Sequence, residues 1–332
     1  MRATINGPYP RVGSELGDKL RKAIGKKERP LVIQKLKEDL TTEIVRELLA
    51  AGIDLPNYGF IDVNDELSWP LEDVEGITFG GMKKTFHTNI HHKEICALTW
   101  HKEIIVTGKL HDKPLINELY SLAVTKSPQG TKLELPGPYT LACHTVIGAK
   151  SPYRTIEELA HAYADFYRTT LCSERTAPLI QFNEPSITAH AREHPHLEML
   201  PELYGKLLDC INLPTAIWTY YGSCDEKTLD ILLATPVDVI GLDFVWDPTV
   251  AERIKKKQTT KGIGFGIIDS GDTQWIGQDD EEAIITTIKD IGNYVDLQRC
   301  LITPNATLEH LPRDYAQQRI KLAGQIKDKV GA

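Results

Sequence analysis

Long apolar runs are absent from this sequence of 332 residues. No stretch approaches the roughly 20 apolar residues that a membrane-spanning helix needs. The first residues of the chain also lack a basic region followed by an apolar run, which a secretory signal would contain. We therefore expect a cytoplasmic protein without a membrane segment.

Cysteine is scarce, and its spacing is irregular. The six cysteines include no C-x-x-C pair. In a chain of this length, free thiols in a reducing cytosol are favoured over a disulfide framework. The cysteines are Cys96, Cys143, Cys172, Cys210, Cys224 and Cys300.

Basic residues are outnumbered, because 38 Lys and Arg stand against 46 Asp and Glu and give a net charge of -8. This balance argues against a nucleic-acid surface. No G-x-G-x-x-G occurs at a strand-to-helix turn, so a dinucleotide fold is not indicated. The run G-I-G-F-G at 262–266 lies within a predicted strand, where its glycines relieve crowding. A small-molecule substrate is the ligand we expect.

From residue 132 onward, short apolar strands alternate with helical segments, which predicts a parallel sheet with crossover helices. Composition is ordinary for a globular protein, and no linker divides the chain. We predict an α/β fold: a single (β/α)8 TIM barrel over residues 1–332 with an N-terminal elaboration and a strand-rich insertion around 76–108. The predicted strands are 3–7, 58–61, 132–135, 179–182, 216–220, 237–244, 262–268 and 300–303. The predicted helices are a basic helix from residue 18 and 31–51, 114–124, 156–172, 197–211, 225–233, 249–256, 281–291 and 315–329.

Polar residues close several of these strands, beginning with L-I-Q-F-N-E-P at 179–185. Barrel enzymes place their ligand contacts at the carboxyl ends of the strands. We therefore expect one rim to hold the strand-end residues Asn183, Tyr220, Asp243, Asp269 and Asn305. Glu184, Asp243 and Asp269 are the candidate catalytic carboxylates. The alternative for each is a turn residue or a carboxylate that orients loop groups.

Histidines are concentrated in two stretches. His87, His91, His92 and His101, with Cys96 nearby, allow a metal site only if the strand bends between His87 and His91. Hydrogen-bonded strand histidines are the favoured interpretation. A second group, His190, His194 and His196, fits a solvated loop. Cys224 has no adjacent histidine that would mark an activated nucleophile.

Eight motifs in order resemble the cobalamin-independent methionine synthase family, over residues 5–325. They are P-R-V-G (10–13), F-H-T-N-I-H (86–91), L-P-G-P-Y-T-L (135–141), Q-F-N-E-P (181–185), T-Y-Y-G (219–222), D-V-I-G-L-D-F-V (238–245), G-I-I-D (266–269) and T-P-N-A-T-L-E-H-L-P (303–312). Full-length members resemble two fused barrels. In them a zinc ion in the C-terminal barrel activates homocysteine, and the N-terminal barrel contributes to folate polyglutamate binding.

The resemblance implies that zinc chemistry is lost here. The family's H-x-C falls on Trp218 and Tyr220, its glutamate ligand on Asp243, its catalytic histidine near Gly271 and its last cysteine on Ala306. One potential ligand remains, whereas zinc needs three protein ligands even at an open catalytic site. We expect no metal bound at the family zinc site.

The N-terminal, non-zinc half resembles this chain more closely. The F-D-T-N-Y-H motif of that half is similar to the segment that carries Asn89 and His91. The resemblance implies that these two residues bind substrate. It implies the same for Asn183, Tyr220 and Asn305. The folate-tail segment of that half resembles the basic residues Arg11, Lys19, Arg21 and Lys22, although the spacing from Gly13 to Lys22 is longer here. Methyltetrahydrofolate polyglutamate is the implied ligand, because cations at a helix start can hold its carboxylates. A solvated helix face is the alternative.

Three functions are consistent with these features. The first is a stand-alone N-terminal-type barrel that contributes methyl-donor binding to methyl transfer onto homocysteine, together with a separate zinc-bearing catalytic barrel. The second is a self-sufficient methyltransferase that uses another methyl donor or thiol acceptor. The third is a non-catalytic binding or regulatory barrel.

Overall fold

The computed structural model describes residues 1–63, 65–85, 99–111, 113–189, 196–257, 259–271, 273 and 276–331. The strands are β1 (Arg2–Ala3), β2 (Ile77–Thr85), β3 (Thr99–Val106), β4 (Leu133–Pro136), β5 (Thr145–Ile147), β6 (Ile180–Asn183), β7 (Thr215–Trp218), β8 (Val239–Asp243), β9 (Gly262–Ile268) and β10 (Leu301–Pro304). The helices are α1 (Glu15–Gly25), α2 (Pro30–Ala50), α3 (Glu118–Lys126), α4 (Pro138–Cys143), α5 (Ile156–Leu171), α6 (Ser186–Ala189), α7 (Leu200–Leu208), α8 (Glu226–Ala234), α9 (Val250–Lys255), α10 (Gln278–Ile291) and α11 (Arg313–Gly331).

Seven strands form a parallel sheet in the order β1-β10-β9-β8-β7-β6-β4. The segment 54–56 joins its two ends. The backbone N–H groups of Asp54 and Leu55 both donate to the Ala3 carbonyl, at 2.9 and 3.1 Å. On the other side, the Lys132 N–H donates to the Pro56 carbonyl at 2.9 Å. The sheet therefore closes around eight positions, which confirms the predicted (β/α)8 barrel.

The second strand position was predicted at 58–61, and this prediction is wrong. Residues 58–61 lie in a turn, where Gly59 and Phe60 have φ values of 78° and 54°. Such left-handed backbone cannot continue a strand. The apolar character of these residues instead reflects burial of Tyr58, Phe60 and Ile61 in the core.

Side-chain caps set several helix starts. Ser14, Asn117, Thr155 and Asp225 each accept a hydrogen bond from a backbone N–H in the first turn of the following helix. The predicted helix at 114–124 begins only at residue 118, because Asn117 is its cap. Most other helix bounds differ from the predicted ones by a few residues.

The predicted strand-rich insertion contains the antiparallel pair β2 and β3, with Ile77 opposite Val106. A third strand, β5, pairs in parallel with β3 and was not predicted. Outside the described residues lie His87, Asn89, His91, His92, Cys96, His190 and His194.

Trp218 fills the barrel interior. It is fully buried, and its indole lies against the Cα atoms of Gly241 and Gly264 on the two neighbouring strands β8 and β9. A Cβ atom at Gly241 would be 2.1 Å from the indole, and one at Gly264 would be 2.2 Å away. The predicted role of Gly264 in relieving crowding is confirmed, because only glycine leaves room for the ring.

The prediction of free cysteines is wrong for one pair. Cys172 and Cys210 form a disulfide with their Cα atoms 5.3 Å apart. The folding of α5 against α7 brings these residues together across 38 positions of sequence, which spacing alone does not reveal. Cys143, Cys224 and Cys300 carry free thiols. Among the described residues, no helix is both long and apolar enough to cross a membrane.

Candidate functional site

The strand-end residues gather at the carboxyl edge of the barrel. Asn305 at the end of β10 donates through its side-chain Nδ2 to both carboxylate oxygens of Asp243, at 3.1 and 3.2 Å. Its Oδ1 accepts from the backbone N–H and the hydroxyl of Ser270, at 2.9 and 2.8 Å. Asp269 precedes Ser270, and its carboxylate accepts from the Gly271 N–H at 2.7 Å. The ends of β8, β9 and β10 are thus tied together, as the parallel register requires.

Asp243 is buried and binds backbone as well as Asn305. Its carboxylate accepts from the N–H groups of Tyr221, Val245 and Trp246, at 3.2, 3.1 and 2.9 Å. Burial raises the pKa of Asp243 to about 6, and these hydrogen bonds oppose the shift. Its position therefore fixes the loops after β7 and β8, and its catalytic role stays a prediction.

A buried polar network occupies the β4–β6 side of the barrel, and the sequence analysis missed its centre, Glu134. The Glu134 carboxylate accepts from the Gly7 N–H at 2.6 Å, from Asn57 Nδ2 at 3.1 Å and from Asn183 Nδ2 at 2.7 Å. It also pairs with Lys132 Nζ at 3.2 Å, and both side chains are almost completely buried. The signal available in the sequence was a charged pair spaced by two in an apolar strand, which places both side chains on one face.

Glu184 points away from this network toward the helix layer. Its fully buried carboxylate accepts from the N–H groups of Tyr139 and Thr140 at the start of α4, at 3.0 and 2.6 Å, and from the Tyr204 hydroxyl at 2.8 Å. Burial raises the pKa of Glu184 to about 7 against these hydrogen bonds. Gly137 must be a glycine here, since a Cβ would lie 2.0 Å from the Glu184 carboxyl carbon. This geometry favours a positioning role for Glu184.

Glu66 is a second carboxylate that sequence reasoning missed. It lies in the loop after the closing segment, with one oxygen 3.3 Å from the ideal Cβ position of Gly7. It has no hydrogen-bond or ion-pair partner among the residues that the structure describes. Burial and the charges of Glu309 and Glu134 raise its pKa well above the usual value. Since nothing in its loop announces a site, no sequence pattern identified it.

Two tyrosines lie within electrostatic range of this carboxylate. The rings of Tyr220 and Tyr221 meet edge to face with centroids 4.6 Å apart, and the Glu66 charge contributes to raising both pKa values after burial. Tyr221 has a φ of 67°, which is rare for a residue with a large side chain. Strained backbone of this kind is concentrated at functional sites. The predicted residue Tyr220 therefore lies next to a strained backbone position, and its role in substrate binding stays a prediction.

Arg11, which was predicted to bind substrate, lies beside a cleft of about 470 Å³. The cleft is between the loop at 10–13 and residues 309–314. Its guanidinium pairs with Glu309 at 2.8 Å and donates to the carbonyls of Ile61 and Val63, at 3.4 and 3.2 Å. Arg313 holds the opposite wall by donating to the Pro10 carbonyl at 3.3 Å. Arg11 is thus partly occupied by the protein itself.

The other predicted basic residues lie on α1, whose amino terminus packs against the Arg11 carbonyl at Gly17. Lys19 pairs with Glu15 at 2.6 Å and Arg21 with Asp18 at 3.6 Å, and both cations remain more than half exposed. Lys22 is exposed as well. The structure keeps these side chains accessible to an anionic ligand but does not converge them on one point. Asn89 and His91 lie outside the described residues.

The residues at the expected metal positions do not fit zinc. These positions hold the indole of Trp218, the phenol of Tyr220, the carboxylate of Asp243 and the methyl group of Ala306. The oxygens of Asp243 already accept five hydrogen bonds. Within the described ranges, no group of three or more His, Cys, Asp and Glu side chains is arranged to hold a metal. The described residues at these positions therefore offer zinc too few ligands for a catalytic site.

The fold and this rim define a (β/α)8 barrel with a polar, carboxylate-rich site at the carboxyl ends of its strands. The particular family follows from comparison with known proteins. A family profile described as "Cobalamin-independent synthase, N-terminal domain" matches residues 78–296. The chain therefore belongs to the cobalamin-independent methionine synthase family, as its motifs indicated.

Individual relatives share less than a third of their aligned residues with this chain. Methionine synthase from Sulfurisphaera tokodaii is 23% identical over 322 residues, which cover 96% of this chain and 88% of that protein. The 5-methyltetrahydropteroyltriglutamate–homocysteine methyltransferase of Mycolicibacterium paratuberculosis is 29% identical over 192 residues, which cover 57% of this chain and 24% of that protein.

A solved structure supports the fold. The B12-independent methionine synthase from Shewanella sp. W3-18-1, in complex with selenomethionine, aligns with a TM-score of 0.73 at 16% identity. The alignment covers 99% of this chain and 97% of that chain. At this identity the likeness shows the shared barrel fold alone.

Proposed function

We propose that this chain is an N-terminal-type barrel that binds a methylated folate and acts in methyl transfer to homocysteine together with a zinc-bearing barrel. The observation that carries the proposal is the combination of the family match with a rim whose zinc positions hold Trp218, Tyr220 and Ala306. A barrel of this family without zinc ligands is left with the binding half of the reaction.

The folate part of the proposal is supported by charge placement. The cleft beside Arg11 opens next to the amino end of α1, and that helix carries three exposed cations beyond it. A polyglutamate tail is a flexible polyanion, so it gains from cations spaced along a helix more than from one tight pocket. The pteridine end would then reach the rim, where Tyr220 and Tyr221 offer aromatic surface.

A second candidate is a methyltransferase that needs no partner barrel. It is favoured by the Sulfurisphaera relative, which is matched along most of its length and is named methionine synthase. This alternative would assign the chemistry to the carboxylates Glu184, Asp243 and Asp269 and would use a different donor or thiol acceptor.

An activity assay separates these proposals. The purified chain is assayed for methionine formation from homocysteine and methyltetrahydrofolate triglutamate, alone and after mixing with a zinc-bearing methionine synthase barrel that is inactive alone. We expect turnover only in the mixture. Turnover by the chain alone would support the second candidate. No turnover in either case, with no folate binding by calorimetry, would refute the first proposal. If the chain alone is also inactive with other methyl donors and thiol acceptors, the second is refuted too and a non-catalytic binding barrel is left.

A further inference from the structure

The disulfide between Cys172 and Cys210 joins two helices of the outer layer. Cys172 caps the carboxyl end of α5, and its N–H donates to the Arg168 carbonyl at 3.0 Å. Cys210 follows α7 by two residues. The Cα separation of 5.3 Å is that of an ordinary disulfide. Both residues are only partly buried, so a small thiol can reach the bond.

The other described cysteines are unsuited to thiol exchange. Burial raises the pKa of Cys143 and of Cys224 to about 12 and that of Cys300 to about 11. These thiols remain protonated at neutral pH, whereas the thiolate is the form that reacts. Among the cysteines that the structure describes, exchange chemistry is therefore expected at Cys172 and Cys210.

The bridged helices hold two strand ends of the rim. From α5, the Tyr167 hydroxyl donates to the Pro136 carbonyl at the end of β4, at 2.8 Å. From α7, the Tyr204 hydroxyl donates to Glu184 just after β6, at 2.8 Å. The Phe182 ring of β6 lies between these tyrosines, with centroid distances of 6.1 and 5.6 Å. A change in the α5–α7 packing therefore acts on the strands that carry Glu134 and Asn183.

We propose that Cys172 and Cys210 form a reversible redox site that sets how tightly α5 and α7 clamp the ends of β4 and β6. In reduction, the thiolate of a dithiol attacks one sulfur and displaces the other as a thiolate. The second thiol of the reductant then resolves the mixed disulfide. The protein gains two electrons and two protons and ends with two thiols, and the dithiol becomes a disulfide. A low-molecular-weight disulfide such as oxidised glutathione reverses the exchange.

The first experiment asks whether the bond exists and responds to redox buffers. The full chain is purified with free thiols blocked and is mapped for a disulfide-linked peptide that contains Cys172 and Cys210. It is then equilibrated over a range of reduced and oxidised glutathione. We expect the linked peptide in the oxidised protein and its reversible loss within this range. Absence of the linked peptide, or a bond that persists at every ratio, would overturn the proposal.

The second experiment measures the effect on the clamp. Reduction should lower Tm by about 5 °C, because it releases a loop of 38 residues in the unfolded chain. Amide exchange should also speed up in peptides covering 133–141 and 182–188, which contain the clamped strand ends. A Cys172→Ala/Cys210→Ala variant should match the reduced protein in both Tm and amide exchange, and adding the dithiol should change neither. The control Cys224→Ala should keep the full dithiol response. If amide exchange in both peptides is unchanged after reduction, the disulfide only stabilises the fold, and the proposal that it controls the strand ends is refuted.

Discussion

The rim of the barrel has two sides that treat their carboxylates in opposite ways. On the closed side, formed by Lys132, Glu134, Asn183 and Glu184, the carboxylate oxygens accept hydrogen bonds from backbone, amide, hydroxyl or ammonium donors. On the open side, formed by Glu66, Tyr220 and Tyr221, Glu66 has no donor among the described residues.

This difference separates carboxylates that stabilise the barrel from a carboxylate that can bind a ligand. A carboxylate whose oxygens are already satisfied cannot offer them to a substrate without breaking the bonds that hold the barrel. A carboxylate without donors, beside tyrosines and strained backbone, is available to a ligand. The methyl-donor binding that we propose is therefore expected on the open side, and the closed side is its frame. Three variants test this division, and a fourth tests the cations of α1.

Glu134→Ala should have the largest effect. It leaves the Lys132 ammonium buried without its counter-ion and removes the acceptor of the Gly7 N–H and of Asn183. Breaking a buried pair in this way costs about 3–5 kcal/mol of unfolding free energy, measurable by urea denaturation. The double variant Lys132→Met/Glu134→Gln, which keeps an acceptor and buries no charge, should lose less than Glu134→Ala. A loss below about 1 kcal/mol for Glu134→Ala would contradict the closed side as a frame.

Glu184→Gln should change the dependence of stability on pH. The pKa of Glu184 is about 7 in the folded protein, where burial outweighs its hydrogen bonds, and 4.5 is its ordinary value. Below pH 4.5 both states hold the proton. As pH rises toward 7, the unfolded chain loses it first, so the wild type loses about 3 kcal/mol of stability relative to its low-pH value. Gln cannot ionise, so the wild-type-minus-variant difference should fall over this range. Parallel curves would show that Glu184 ionises normally.

Glu66→Gln should change the free energy of unfolding only slightly, and in the opposite direction to Glu134→Ala. Burial and neighbouring Glu309 raise the pKa of Glu66, so its ionised form is unfavourable in the folded state. At pH 4, where both states hold the proton, the variant should match wild type within about 0.5 kcal/mol. At pH 8 it should be the more stable protein, while methyl-donor binding weakens. If the variant instead loses stability at pH 8, Glu66 has donors and the open side is closed as well.

Sequence reasoning succeeded where a regular repeat carries the information. Asp243 and Asn305 were placed at one rim because each closes a strand of a parallel barrel, and they are hydrogen-bonded there. It failed where contacts depend on three-dimensional packing. Glu134 gains its donors from Gly7 and Asn57, far away in sequence, and Cys172 meets Cys210 only after α5 packs on α7.

The smallest change in stability and the sharpest test of the ligand come from Arg21→Ala/Lys22→Ala. These cations are exposed on α1, and Arg21 has only a loose pair with Asp18 at 3.6 Å. Exposed contacts with a polyglutamate tail are worth up to about 1 kcal/mol each, so the two together predict a loss of up to about thirtyfold in affinity for a triglutamate folate. A monoglutamate folate, which cannot reach along the helix, should lose less than about twofold. Both affinities come from titration calorimetry.

The salt dependence and a charge-matched control complete this prediction. Triglutamate binding by the wild type should weaken as salt rises, since exposed charges are screened, and the variant should show a shallower dependence. Unfolding free energy should stay unchanged because alanine favours helix. The control Lys206→Ala/Lys289→Ala removes two exposed cations from α7 and α10, so it has the same net charge and should bind both folates like wild type. Equal losses for the two folates in Arg21→Ala/Lys22→Ala would make α1 an ordinary solvated face. Ligand binding would then rest on Glu66 and the tyrosines of the open side alone.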